Sequence, residues 1–131
     1  KALVTGGRGA LWMSPDELLL LVPYAEAPAT TAALAAALAG EHALAVDVSD
    51  ARAFFRVSGT KADQALAKLC PVDFPSLAEG EIRRTRAAQA AAALWCSAPD
   101  EISLVCFRSV AQYMMDLLTV SARSGSELAP T

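Results

Sequence analysis

The chain of 131 residues carries one histidine, three cysteines and only 6% aromatic residues. Each scarcity removes a class of chemistry. Cys70, Cys96 and Cys106 contain no C-x-x-C pair and only His42 could join them, so neither a metal cage nor a disulfide framework is expected. They read as buried structural thiols. His42 follows a helix-closing glycine and reads as a dipole partner or a solvated side chain. Eleven basic against fourteen acidic residues leave a net charge of −3, without the basic excess that nucleic acid binding uses. The longest run of large apolar side chains, Leu18 to Val22, is far too short to cross a bilayer, and nothing resembles a signal peptide. A cytoplasmic location is the expectation.

What the chain has in quantity is apolar mass, 54% of its residues, which is too much for disorder and enough for the core of one domain. Alanine inflates that figure. The expected organisation is one domain over residues 1–123 and a tail over 124–131. Because the first residue is Lys1 and not methionine, we expect the chain to be part of a longer protein.

The most informative stretch is Asp47 to Phe74. Ala53, Phe55 and Val57 alternate with Arg52, Phe54 and Arg56, the period of a strand with two unlike faces. Gly59 breaks it. Thr60 can then cap a helix with Asp63 in its first turn and with Ala62, Ala65, Leu66 and Leu69 on one stripe, ended by Pro71. Before this stretch, K-A-L-V-T-G-G-R-G looks like a nucleotide-binding turn, but Ala10 to Met13 continue as a strand where a phosphate-facing helix would have to start. A glycine hairpin loop fits better. A turn at Pro15-Asp16 leads to Leu18 to Val22, a continuously apolar strand expected to be covered on both faces. Pro28 opens and Gly40 closes an alanine-rich helix whose lack of charge implies cover from its own sheet or from a partner chain. His42 to Ser49 alternates as a further strand.

Beyond the loop Pro71 to Gly80, Glu81 to Arg86 reads as a strand. Ala87 to Ala93 has helical propensity. Internal symmetry argues for strand instead: A-L-W-C-S at residues 93–97, then Pro99-Asp100-Glu101 and an apolar strand, repeats A-L-W-M-S at residues 10–14, then Pro15-Asp16-Glu17 and an apolar strand, at an offset of 83 to 84 residues. A helix follows each copy. The second is opened by a Ser109/Gln112 capping box and striped by Val110, Tyr113, Met114, Leu117 and Leu118. The fold class is therefore α+β, antiparallel sheets with packed helices in two ferredoxin-like halves.

No nucleophile with a base, no unequal carboxylate pair and no metal cage is visible. Asp16-Glu17 and Asp100-Glu101 read as solvated turn residues, Ser58 as a cap, and Met114, Met115 and Tyr113 as helical core. Arg83, Arg84 and Arg86, extended by Arg52 and Arg56, are the one group that could hold an anion such as a folate tail or a partner's carboxylate. Alternation puts Arg84 and Arg86 on one face and Arg83 on the other; the alternative is a charged, solvated sheet edge.

The run from the aspartate-bearing strand through R-V-S-G and L-A-K-L-C-P-V-D resembles the sarcosine oxidase gamma subunit family. So, more weakly, do A-L-W-M-S-P-D-E-L-L-L-L, R-T-R-A-A-Q and S-V-A-Q-Y-M-M-D-L-L, so that the likeness covers nearly the whole chain. It implies a fold like the folate-binding domains of glycine-cleavage aminomethyltransferases. It also implies a bacterial heterotetramer that oxidatively demethylates sarcosine to glycine, giving hydrogen peroxide and, with tetrahydrofolate, methylenetetrahydrofolate. FAD, FMN, NAD, tetrahydrofolate and zinc then belong to partner subunits, and the gamma chain, without catalytic groups, docks on alpha in a complex with beta and delta. The alternatives are a stand-alone folate or one-carbon-binding domain, using the arginines for the glutamate tail, and a structural subunit of another oxidoreductase.

Overall fold

Gly6 and Gly7 both take positive φ, 60° and 77°, which closes a two-residue hairpin turn between β1 (Ala2–Thr5) and β2 (Arg8–Ser14) in the computed structural model, which describes residues 1–127. Gly9 lies where β1 passes closest: a Cβ there would sit 2.7 Å from the Leu3 carbonyl oxygen. The turn at Pro15-Asp16 returns the chain as β3 (Glu17–Leu21), and a 3-10 turn leads into α1 (Ala27–Ala37) with Pro28 in its first turn. Then come β4 (Arg52–Ser58), α2 (Ala62–Ala67), β5 (Ile82–Ala87), β6 (Ala90–Ala98), β7 (Glu101–Phe107) and α3 (Ala111–Ser121). The strands form two antiparallel sheets, ordered β1-β2-β3 and β4-β7-β6-β5. The class is α+β.

The alanine run is strand. Ala88, at φ 52°, turns β5 into β6, and β6 then finds ladder partners on both sides, in β5 and β7. Two sets of interstrand hydrogen bonds outweigh the small helical preference of alanine. The internal repeat is equally plain in the backbone. Each apolar hairpin has a register shift at the matching place, between Trp12 and Ser14 and between Cys96 and Ala98. Each is followed by a 3-10 turn and an 11-residue helix.

The core has two parts. On one face of the four-stranded sheet, Leu94, Leu104 and Cys106 meet Leu66 of α2 and Met114 and Leu118 of α3, with Ala53, Phe55 and Val57 packed alongside. On the other face, Ala93, Trp95 and Val105 meet Ala2 and Leu11 of the first sheet. The repeat is thus conserved in order but not in packing. Leu11 and Leu94 hold matching positions, yet one faces the other sheet and one faces helices. Trp95 is 1% exposed, and its counterpart Trp12 is 38% exposed.

Several sequence expectations fail for identifiable reasons. β3 is not covered on both faces: it is the edge of a three-stranded sheet, and Leu18 and Leu20 lie exposed on its outward face, which none of the described residues covers. Of the two covers expected for α1, its own sheet supplies none among the described residues, where only Ala27 of the helix is buried because its alanines surround the axis instead of forming a stripe; cover from a partner chain stands as the other expectation. His42 to Ser49 is not a strand. Its alternation is real, but no neighbour supplies the ladder a strand requires, and Leu44 is 87% exposed. Asp47 instead accepts hydrogen bonds from the N–H and hydroxyl of Ser49, turning the chain toward β4.

Neither proposed helix cap forms. The residue that precedes α2 is Lys61, not Thr60, and its side chain makes no capping bond. Ser109 is taken up in a 3-10 turn, while Gln112 Nε2 donates to Asp116 Oδ1 at 2.9 Å. Tyr113 and Met115 are exposed and stand outside the buried stripe of α3. Of the expected tail, Ser124 to Glu127 fold back beneath Lys68, whose Nζ donates to Ser126 O at 2.7 Å; residues 128–131 lie outside the described residues. Among the described residues, no helix is long and apolar enough to cross a membrane.

Candidate functional site

Alternation along β4, β5, β6 and β7 sorts the side chains of the second sheet. The register pairs Arg84 with Ala93, Ala93 with Val105, and Val105 with Phe54, so these four share one face. Arg52 and Arg56, two residues either side of Phe54, share it too, as does Arg86. The first sheet covers the middle of this face and reaches the start of β5, where Ile82 packs with it, and it leaves the β4 edge open. Arg84 and Arg86 stand exposed at the β5 edge, where Arg84 Nη1 donates to Met13 O at 3.3 Å. Arg83 points to the helix side and donates to Glu81 Oε2 at 2.8 Å. The Ala78 N–H and the Arg83 guanidinium hold the Glu81 carboxyl below its usual range.

Arg52 and Arg56 do not join that cluster. They sit on β4, at the opposite edge, three strand spacings or about 14 Å away. There they build something else: the Arg52 guanidinium lies 4.5 Å over the Phe107 ring, and that of Arg56 lies 5.5 Å over Phe54. Phe54 meets Trp95 edge to face at 5.5 Å. Trp95 Nε1 is buried and is the one buried side-chain donor without a partner among the described residues. Sequence alternation marked Arg52, Phe54 and Arg56 as one face, but Phe107 is distant in sequence and reaches them only through the β4–β7 ladder.

Glu101 is not a solvated turn residue. It accepts from Ser97 Oγ at 2.8 Å and from Ser58 Oγ at 3.1 Å, with Arg56 Nε at 3.9 Å, and the buried Ser103 Oγ donates to Ser97 Oγ at 2.9 Å. Ser58 therefore ties β4 to β7 and caps nothing. Asp16 is a turn residue as expected, its carboxyl lowered by the hydroxyl of Ser14. A hydroxyl facing a carboxylate needs an imidazole or amine to become a nucleophile. His42, the only imidazole, is exposed on the irregular segment after α1. Cys70 and Cys106 are buried, and burial pushes both thiols up, Cys70 to about 11, so they are inert as nucleophiles at neutral pH. Among the described residues, no group of three His, Cys, Asp or Glu side chains could hold a metal.

The model of the family described as "Sarcosine oxidase, gamma subunit family" matches residues 1–123. The chain belongs to that family. Among curated members of the gamma family, "Sarcosine oxidase subunit gamma" of Arthrobacter sp is 38% identical over 74 residues, 56% of this chain and 36% of the relative. The protein of the same name from Corynebacterium sp. (strain P-1) matches at the same identity and length. A solved structure, "Heterotetrameric Sarcosine Oxidase from Corynebacterium sp. U-96 in complex with pyrrole 2-carboxylate", contains a similar chain. The TM-score is 0.85 at 25% identity, over 95% of this gamma-family chain and 64% of that one. The chain thus spans about a third of the length of the curated relatives it matches.

Proposed function

We propose that this chain is the non-catalytic gamma subunit of a heterotetrameric sarcosine oxidase in the bacterial cytoplasm, docking on the alpha chain and supporting assembly with beta and delta. The observation that carries the reading is the TM-score of 0.85, over 95% of this chain, to a chain of such a heterotetramer. In this reading the flavins FAD and FMN, with NAD, tetrahydrofolate and zinc, reside on the partner subunits, and the complex converts sarcosine to glycine. This chain's residues supply surfaces only.

The test is co-expression with alpha, beta and delta chains from the same genome, followed by size exclusion and a sarcosine-dependent peroxide assay. Co-elution in a flavin-bearing complex is the expected result; elution apart from all three overturns the reading. A second reading, a stand-alone folate-binding domain, draws on Arg84 and Arg86, which share an exposed face and have no carboxylate partner among the described residues, with Arg83 beside them. It expects the isolated chain to bind tetrahydrofolate by calorimetry and an Arg83, Arg84, Arg86 to alanine variant to lose that binding.

A further inference from the structure

The open half of the second sheet's outer face combines features that a merely solvated surface does not need. Phe54 is 44% exposed and Phe107 is 53% exposed, on one face and diagonal to each other across the β4–β7 ladder, where an isolated chain gains nothing from showing two aromatic rings to water. Arg52 lies over one ring and Arg56 over the other. A guanidinium stacked on a ring keeps its in-plane N–H groups aimed outward and loses part of its rotamer freedom in advance, which lowers the cost of gripping a carboxylate. Arg52 has no carboxylate partner among the described residues, and Arg56 has only Glu101 at 3.9 Å. Arg108, exposed beside them, donates to the Asp50 carbonyl and has no carboxylate partner among the described residues. The surface complementary to this cationic patch is acidic, and two copies of the chain meeting through the same patch would set arginine against arginine, so a symmetric pairing of this chain is a poor match.

Resting on the subunit reading above, we infer that Arg52, Phe54, Arg56 and Phe107 form a docking surface for an acidic segment of a partner protein chain. The two rings take up apolar side chains of the partner, and Arg52 and Arg56 receive its carboxylates. The arginines at the β5 edge are not part of it. Trp95, beneath Phe54, reports the event, because covering Phe54 changes the environment of the indole.

The experiment measures affinity of the full-length chain for the co-expressed alpha, beta and delta chains, in three forms: wild type, Arg52→Glu with Phe107→Ser, and Arg84→Glu with Arg86→Glu. All four substituted residues are exposed or lie at a sheet edge, and circular dichroism of each variant checks the fold. The expected result is at least a thirtyfold loss of affinity in the Arg52/Phe107 variant, little change in the Arg84/Arg86 variant, and wild-type affinity that falls as salt rises. Equal binding by all three forms, or a loss confined to the Arg84/Arg86 variant, overturns the inference and leaves the subunit reading standing. No binding by the wild type overturns both.

Discussion

Replacing Lys68 by methionine tests whether one side chain holds the two helices on the inner face of the second sheet together. Lys68 follows α2, and its Nζ donates to Ser121 O at 2.6 Å, to Ser126 O at 2.7 Å and to Ser126 Oγ at 3.0 Å. It thereby closes the C-terminus of α3, where carbonyls lack intrahelical partners and the helix dipole favours a cation. Ser121 Oγ returns a bond to Ala65 O at 2.6 Å, so the two helices are tied in both directions. Methionine keeps the apolar stem and removes all three donors. A hydrogen bond to a charged group contributes about 1.5–3 kcal/mol, but the three share one ammonium that is partly exposed, so the expected loss is about 2 kcal/mol. For a chain of this size that corresponds to a fall in Tm of about 8 °C. The control is Lys61→Met, which removes only the exposed, solvent-screened pair with Glu127 at 3.3 Å and should leave stability nearly unchanged. Urea melts of both variants make the comparison. A Lys68→Met loss no larger than that of Lys61→Met refutes the argument.

Alkaline stability should depend on Cys70. Its pKa is raised by burial from 9.0 to about 11, so stability is fully present below pH 9 and declines as pH climbs through 11, by about 2–3 kcal/mol; Cys70→Ala should flatten the pH 9–11 limb of a denaturation series. In native protein at pH 7.5, an alkylating reagent should label Cys96 well before Cys70 and Cys106, which mass spectrometry would show, and equal labelling of all three would contradict their burial. Gly9→Ala should destabilise by about 1–3 kcal/mol, because the new Cβ would meet the Leu3 carbonyl at 2.7 Å and backbone has to move; an unchanged melt would place β1 elsewhere. Iodide should quench Trp12 and spare Trp95, so that a Trp12→Phe variant keeps a blue-shifted emission that resists quenching.

The strands legible in the sequence were those whose pattern coincided with a partner. β4 shows its two faces in six residues, and the repeat identifies β6 as strand against its own composition. His42 to Ser49 shows the limit of the method: alternation reports what a segment could do in a ladder, not whether a ladder is present. The caps failed for a related reason. Thr60 and Ser109 have suitable side chains, but the backbone enters each helix through a turn that carries the hydroxyl out of reach. At the candidate surface, Arg52, Phe54 and Arg56 could be read from one strand. Phe107 could not, since only the register of β4 on β7 brings it beneath Arg52, and the same register separates the arginines of β4 from those of β5.

The free edge of β3 affects more than the geometry of the fold. One side of Glu17–Leu21 has no neighbouring strand among the described residues, and Leu18 and Leu20 on its outward face are uncovered. Such an edge pairs readily with any extended chain it meets, including other nascent copies. Between synthesis and the moment something covers that edge, self-association and proteolysis compete with productive assembly. The amount of this protein that a cell can keep is then set by the supply of whatever covers the edge, and overproducing the chain alone should fill inclusion bodies instead of raising its soluble concentration.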